Sequence, residues 1–395
     1  MLLDAIYRRK SIKYLGIIWL IPIFVYVPID NLFFAITMLI LPIAIHYHIK
    51  YNTKTDNSIL WFLSFLIYAI ICSLFSNNLD ANFTKYFQLF IEGFLVYFIV
   101  KTIFEARDIE WLSKWIVFFS LCNFLISYVM SLYGFGKAEI IYDLSSKTIT
   151  NYYRPIPPGF DPNYYYLHLI LPFMFCLTKF RETNEIKIKY FYLFITLIIV
   201  YGIASTASKS AMLISIFLYV IVFLKTSKHF LNFLIITFLF LFIGIPIFRD
   251  ILPYTFFRYE ALLESFILND TLALTTNRSL VWERSWVQFL GSPIFGTGLG
   301  QMVKQLSSDY YLKNIGAGTT HNGMLHTLAE MGIIGAFILF YPFIRILRKV
   351  KLEINYLYLS LIGTLLMLQS IDAMYYKVIY VLLALCLISY KKKYV

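Results

Sequence analysis

Long apolar runs separated by shorter polar connections recur from one end of this chain to the other. Twelve such segments lie near 14–29, 31–49, 58–75, 83–100, 111–133, 162–178, 190–205, 210–224, 230–248, 322–344, 355–371 and 374–390. Most can cross a hydrocarbon core of about 30 Å at about 1.5 Å of helical rise per residue. The runs are longer than strands and do not alternate apolar with polar positions, so they predict helices rather than a barrel. Two polar stretches break the rhythm. One covers about 134–161, with Gly134, Gly136, Arg154, Pro155, Pro157, Pro158 and Gly159. The other covers about 249–321, between the ninth and tenth segments, and is long enough to hold short helices of its own. The expected fold is an all-α, polytopic membrane bundle of about twelve helices. It forms one transmembrane domain over 1–395, with these two stretches as external loops.

Composition sharpens this picture. Hydrophobic residues make up 60% of the chain and charged residues 14%, which excludes an ordinary soluble domain. The basic residues then orient the bundle. Placing the N-terminus in the cytoplasm gathers Arg8, Arg9, Lys10 and Lys13, then Lys50 and Lys54, then Lys101, Arg107 and Lys114, then Lys179, Arg181, Lys187 and Lys189, then Lys225 and Lys228, then Arg345, Arg348, Lys349 and Lys351, and finally Lys391, Lys392 and Lys393 on one side. Acidic residues divide the other way. This is the positive-inside pattern, and it places both termini in the cytoplasm. The net charge of +12 therefore reports topology. Dispersed among loops, it gives no support to nucleic-acid binding. No small-residue cleavage site follows the basic start, so the first segment is expected to be a retained helix. Cys72, Cys122, Cys176 and Cys386 all fall in apolar runs without metal-ligand spacing, and read as small core residues.

Positive-inside statistics disfavour cations on the outer face, so those kept there need a reason. Arg154 precedes a segment, Lys209 sits between two segments among small hydroxyl residues, and Arg278 and Arg284 lie in the large loop. Arginine offers a rigid fork for phosphate oxygens and lysine a mobile point charge. Together they could form a cationic site for a lipid pyrophosphate. Taken singly, each could equally snorkel or form a loop salt bridge. His321 opens the tenth segment, where a neutral imidazole could take a proton from a sugar hydroxyl. Asn322 could cap that helix or touch substrate. His326 reads more readily as a packed or hydrogen-bonded residue. Glu330, about two turns into the segment, is expensive at that depth and suggests an inward-facing role, such as bonding His326. Gly332 and Gly335 read as close-packing positions. Gly296, Gly298 and Gly300 form a permissive turn but not a nucleotide loop, since no strand–helix unit or Lys-Ser/Thr follows. Glu92 sits mid-segment with no obvious partner. No metal site and no cofactor is expected.

These residues carry a family resemblance. The order is Arg154 and Asp161-Pro162-Asn163, then Ser208-Lys209-Ser210, then Arg278, Trp286 and Gly296-Thr297-Gly298, then His321-Asn322 and Glu330-Met331-Gly332-Ile333-Ile334-Gly335. It resembles the O-antigen polymerase and O-antigen ligase superfamily of bacterial membrane glycosyltransferases, as does the plan of many spans with a large late loop. The resemblance implies an enzyme of the bacterial inner membrane whose site faces the periplasm. Its donor would be an undecaprenyl-pyrophosphate-linked oligosaccharide. Arg154, Lys209, Arg278 and Arg284 would hold the pyrophosphate, and His321 would be the catalytic base. Asn163, Asn322, His326 and Glu330 would support them. At Lys209 an arginine is usual in the family, so the bidentate fork is missing there. The ligase pattern often has an extra histidine shortly before His-Asn. Thr319-Thr320 stand there instead, which tilts the reading toward a polymerase. Partners implied are the lipid-linked glycan, membrane lipid and a chain-length regulator protein. A ligase is the alternative. A lipid-linked oligosaccharide flippase ranks below both, because the charges cluster on one side and no internal repeat is evident.

Overall fold

The computed structural model describes residues 2–25, 32–50, 57–76, 79–135, 137–143, 148–157, 161–224, 260, 263–270, 278–308, 320–349 and 355–393. The expected segment at 230–248 lies outside these residues. Helices α1 (Leu2–Phe24), α2 (Leu32–Lys50) and α3 (Asn57–Leu74) come first. Next, α4 (Leu79–Gln88) runs through a π-helical turn at Leu89–Leu95 into α5 (Val96–Ile103). After α6 (Ile109–Leu132) come strands β1 (Lys137–Asp143) and β2 (Thr148–Arg154), followed by α7 (Pro162–Glu182), α8 (Ile186–Ser205) and α9 (Lys209–Leu224). The late polar stretch holds α10 (Arg278–Gly291) and α11 (Gln301–Ser308). The described chain closes with α12 (Gly323–Lys349), α13 (Tyr356–Met367) and α14 (Lys377–Lys393).

Among the described residues, six stretches are long and apolar enough to cross a membrane: Leu32–Lys50, Asn57–Leu74, Phe83–Ile103, Ala106–Leu132, Ile186–Ser205 and Gly323–Arg348. Four shorter apolar helices accompany them. This is a multi-pass membrane protein. Its surface reverses the soluble pattern: Leu39, Ile49, Leu60, Ile67, Phe191 and Phe194 are exposed along these helices, where acyl chains would cover them.

The core is central to α7 and α14. Helix α7 packs on α6, α8, α9 and α13, and α14 packs on α5, α7, α12 and α13. Tyr165, Tyr166 and Phe175 of α7 and Tyr380 of α14 are fully buried. Local signals start the central helices. Asp161 accepts from the Asn163 N–H ahead of Pro162 in the first turn of α7, a cap followed by a residue with no N–H to lose. Asn355 caps α13 through Leu357 N at 2.9 Å.

Three features depart from the expectation of an uninterrupted all-α bundle. The 134–161 loop holds an antiparallel hairpin, with Lys137 opposite Arg154 and Asp143 opposite Thr148. The span at 83–100 contains the π-turn around Glu92. The tenth segment is two helices meeting at Gly332, whose φ of 63° and ψ of −173° are non-helical. Gly332 is thus a break and not a packing position: a Cβ there would lie 2.2 Å from the Ile294 carbonyl oxygen. Gly335 does serve close packing, since a Cβ would meet Tyr68 at 2.7 Å. The break is repaired from neighbouring chain. Tyr68 donates to the Met331 carbonyl at 3.0 Å and Ile333 N donates to Pro293 O at 2.9 Å; farther along, Trp61 donates to the Ile338 carbonyl, which Pro342 leaves without a helical donor. Irregular backbone at membrane depth survives only where protein satisfies it in this way.

Candidate functional site

The site is assembled on the short connection between α13 and α14, residues 368–376. Asp372 is its centre. Its Oδ1 accepts from the Thr320 hydroxyl at 2.5 Å and from Asn322 N at 3.0 Å, and its Oδ2 accepts from His321 N at 3.1 Å. One carboxylate therefore ties down three consecutive residues of a chain segment fifty positions earlier. The restraint has work to do, because His321 has a φ of 49°. That left-handed conformation costs a non-glycine residue about 1–2 kcal/mol. Trp282, one turn into α10, adds a bond from Nε1 to the Thr320 carbonyl at 3.0 Å. Asn322 then caps α12 through Leu325 N at 3.0 Å, the structural half of its two expected roles. His321 itself is half-buried.

Behind this turn, His326 and Glu330 are buried. His326 Nδ1 lies 2.9 Å from the Thr320 hydroxyl, and Nε2 lies 3.2 Å from Glu330 Oε2. Glu330 also accepts from the Tyr375 hydroxyl at 2.7 Å and, through Oε1, from Met302 N at 3.1 Å in the first turn of α11. A negative charge is favoured at that helix end. Its carbonyl takes Gly298 N at 2.8 Å, and the Ala329 carbonyl takes Thr297 N at 3.1 Å. The glycines of the 296–300 turn permit this approach: a Cβ on Gly296 would stand 2.3 Å from the Glu330 oxygen. Glu330 thus fastens the late polar stretch to α12, and an ionisable group two turns into a span gains a structural account. Both residues brace the His321 turn from within.

The cations approach from the other side. Arg278 Nη1 donates to the Ser370 carbonyl at 3.2 Å, and Ser210 Oγ lies 2.7 Å from Ser370 Oγ. Ser370 thereby joins the start of α10 to the start of α9, where Lys209 is the first helical residue. Ser208 ahead of it caps Ala211 N at 3.2 Å and donates to Asn163 Oδ1 at 2.5 Å. Arg154 is buried and donates to the Thr206 carbonyl at 3.2 Å, at the C-cap of α8. Arg154, Asn163, Lys209, Arg278 and His321 are therefore linked through the 206–210 turn and the 368–376 connection. Arg284 is not placed with them. It is exposed, six residues on from Arg278 and so about 120° away around α10, off the face carrying buried Val281, Ser285 and Phe289.

Asp372 escaped the sequence reading. Its signal was available, as an aspartate in the short Gln369-Ser370-Ile371-Asp372 connection between the last two apolar runs. Among the described residues no group of three or more His, Cys, Asp or Glu side chains is placed to hold a metal ion.

Residues 193–340 match the family model described as O-Antigen ligase. That match is consistent with the O-antigen polymerase and ligase superfamily. No curated protein matches the chain. The matched segment contains Lys209, Arg278, His321, His326 and Glu330, whereas Arg154, Asn163 and Asp372 lie outside it.

Proposed function

We propose that this protein is a polymerase of O-antigen or a related surface polysaccharide. It joins undecaprenyl-pyrophosphate-linked repeat units at the outer face of the bacterial inner membrane. What supports this reading is that the four separate stretches carrying Arg154, Lys209, Arg278 and His321 are hydrogen-bonded to two short turns. The matched family supports a glycosyltransferase acting on lipid-linked glycans. The absence of a histidine at Thr319-Thr320 favours polymerase. The description of the family model favours the second reading, a ligase that transfers the glycan to lipid A–core.

The chemistry needs few parts. His321 takes the proton of the acceptor hydroxyl as that oxygen attacks the anomeric carbon. The bond from that carbon to the pyrophosphate breaks, and the configuration inverts. Arg154, Lys209 and Arg278 neutralise the charge that develops on the departing lipid pyrophosphate. Fixed cations so placed lower the barrier without reorganising during the step.

Purified protein incubated with lipid-linked repeat units alone separates the readings. Growth into a ladder is expected. Dependence on added lipid A–core means ligase, and translocation without bond formation means transporter. His321→Ala should abolish the ladder while leaving insertion intact. Full activity in that variant removes the assigned base.

A further inference from the structure

A second group of charges stands at the other end of the 368–376 connection. The π-turn after α4 carries Glu92, and such turns are uncommon and frequently mark functional sites. Glu92 accepts from Gln88 Nε2 at 3.4 Å and interacts electrostatically with Lys377 and Lys85. Lys85 Nζ donates to Gln88 Oε1 at 3.2 Å and stands 5.0 Å over the Tyr375 ring. Lys377 Nζ stands 4.2 Å over the Phe33 ring. Both lysines are half-buried.

Two ammonium groups around one carboxylate leave an excess of positive charge. Among the described residues neither lysine reaches a carboxylate at ion-pair distance. Rings and an amide are weak compensation for an ammonium drawn out of water. Lys85 lies in the half of its helix away from the cytoplasmic end marked by Lys101, so the excess sits at the outer interface under the orientation argued from charge. On the face of α4 turned away from Lys85, two positions to either side of it in sequence, Phe83 and Phe87 are exposed, with Phe87 6.3 Å from exposed Phe34 and 6.2 Å from Phe83. These rings form an apolar edge open to acyl or prenyl chains. Tyr375 carries the Lys85 contact on its ring and the Glu330 bond on its hydroxyl, so this cluster is coupled to the brace behind His321.

We propose that Lys85 and Lys377, braced by Gln88 and Glu92, form a second phosphate site, which takes the pyrophosphate of the lipid that carries the acceptor. The inference rests on the donor reading of Arg278 and Lys209. A transferase whose acceptor is itself lipid-linked needs two anion sites beside the point of transfer. Arg278 at Ser370 and Lys85 at Tyr375 stand at opposite ends of one connection that has Asp372 between them.

The test uses the full chain in lipid nanodiscs titrated with undecaprenyl pyrophosphate, with bound lipids counted by native mass spectrometry. The native protein should bind two. Lys85→Gln combined with Lys377→Gln should bind one, with the lost site weakened roughly tenfold or more, as expected for charged hydrogen bonds. Arg278→Gln should lose the other, and Lys85→Arg should keep both. If the double variant does not insert, Lys85→Gln alone carries the comparison. Two lipids on the lysine variant overturn the proposal. One lipid on the native chain, lost in Arg278→Gln, overturns it and leaves the donor reading standing. A second lipid lost only in the lysine variant, with Arg278→Gln without effect, supports this site and removes the donor assignment instead. Inorganic pyrophosphate should compete poorly. Displacement of the second lipid at equal concentration means a site for free phosphate, and overturns the acceptor role.

Discussion

Replacing Asp372 by asparagine tests the brace on His321 with almost no change in shape. In the native protein one carboxylate oxygen takes Thr320 and Asn322, and the other takes the His321 N–H. An amide keeps a single acceptor. If that oxygen stays with Thr320 and Asn322, the new NH2 group faces the His321 N–H, and two donors oppose each other. One bond to a charged acceptor is then lost, worth about 1.5–3 kcal/mol. The remaining two lose their charge assistance, which makes such bonds roughly twice as strong as neutral ones. The His321 backbone meanwhile keeps its left-handed φ of 49°, a strain of about 1–2 kcal/mol that nothing else so directly opposes.

The turn should therefore relax, with about 3 kcal/mol removed from its support. At about 1.4 kcal/mol per factor of ten, that corresponds to roughly a hundredfold loss of kcat. The KM for donor should scarcely move, because Arg278 reaches the connection through Ser370 and not through Asp372. The assay is ladder formation from lipid-linked repeat units in proteoliposomes, with kcat and KM measured separately. A native kcat in Asp372→Asn, beside an inactive His321→Ala, would refute the reasoning: the base would then not depend on the turn that Asp372 holds.

Two further outcomes are expected. Gly332→Ala should cost at least about 3 kcal/mol of stability. It forces a side chain into a backbone region open essentially to glycine alone, and sets a Cβ 2.2 Å from the Ile294 oxygen. Thermal unfolding in detergent reads this as a clear fall in Tm, and an unchanged Tm contradicts the break in α12. Chelation with EDTA should leave the rate of ladder formation unchanged, since the leaving pyrophosphate is assigned to side-chain cations. A rate lost on chelation and restored by a divalent ion would overturn that assignment.

Much of the scaffold was legible because hydropathy is a local property. The segments starting near 31, 58, 190 and 322 correspond to helices long enough to span, and Asn322 caps as its position suggested. The hairpin was legible too. Ile-Ile-Tyr-Asp and Thr-Ile-Thr-Asn-Tyr-Tyr flank a four-residue connection and are rich in β-branched and aromatic residues, a hairpin signal by composition and spacing. The break at Gly332 was not legible. Apolar residues continue on both sides of it, and its conformation is imposed by the 293–298 stretch bonding across it. Asp372 stands between the two kinds: an aspartate in a short connection is visible in the sequence, but its three partners lie about fifty residues earlier and no local pattern announces them.

The polar chemistry sits where helices are interrupted, and the reason is a shared one. A helix that ends inside the bundle leaves carbonyls and N–H groups that lipid cannot satisfy. Arg154 answers one such carbonyl at Thr206, the C-cap of α8, and Arg278 answers another at Ser370, just past α13. Cations are favoured at helix C-termini, so the fold has use for these two arginines before any substrate arrives. A guanidinium carries five N–H groups in a planar fork, and anchoring one to a carbonyl fixes where the fork stands. A lysine anchored in this way would spend a larger share of its three donors, yet at residue 209 it is the helix start that sets its place. The same bonds that close the ends of α8 and α13 thus preorganise the charge. Loss of either arginine should therefore lower stability and donor binding together, whereas a purely surface cation would change binding alone.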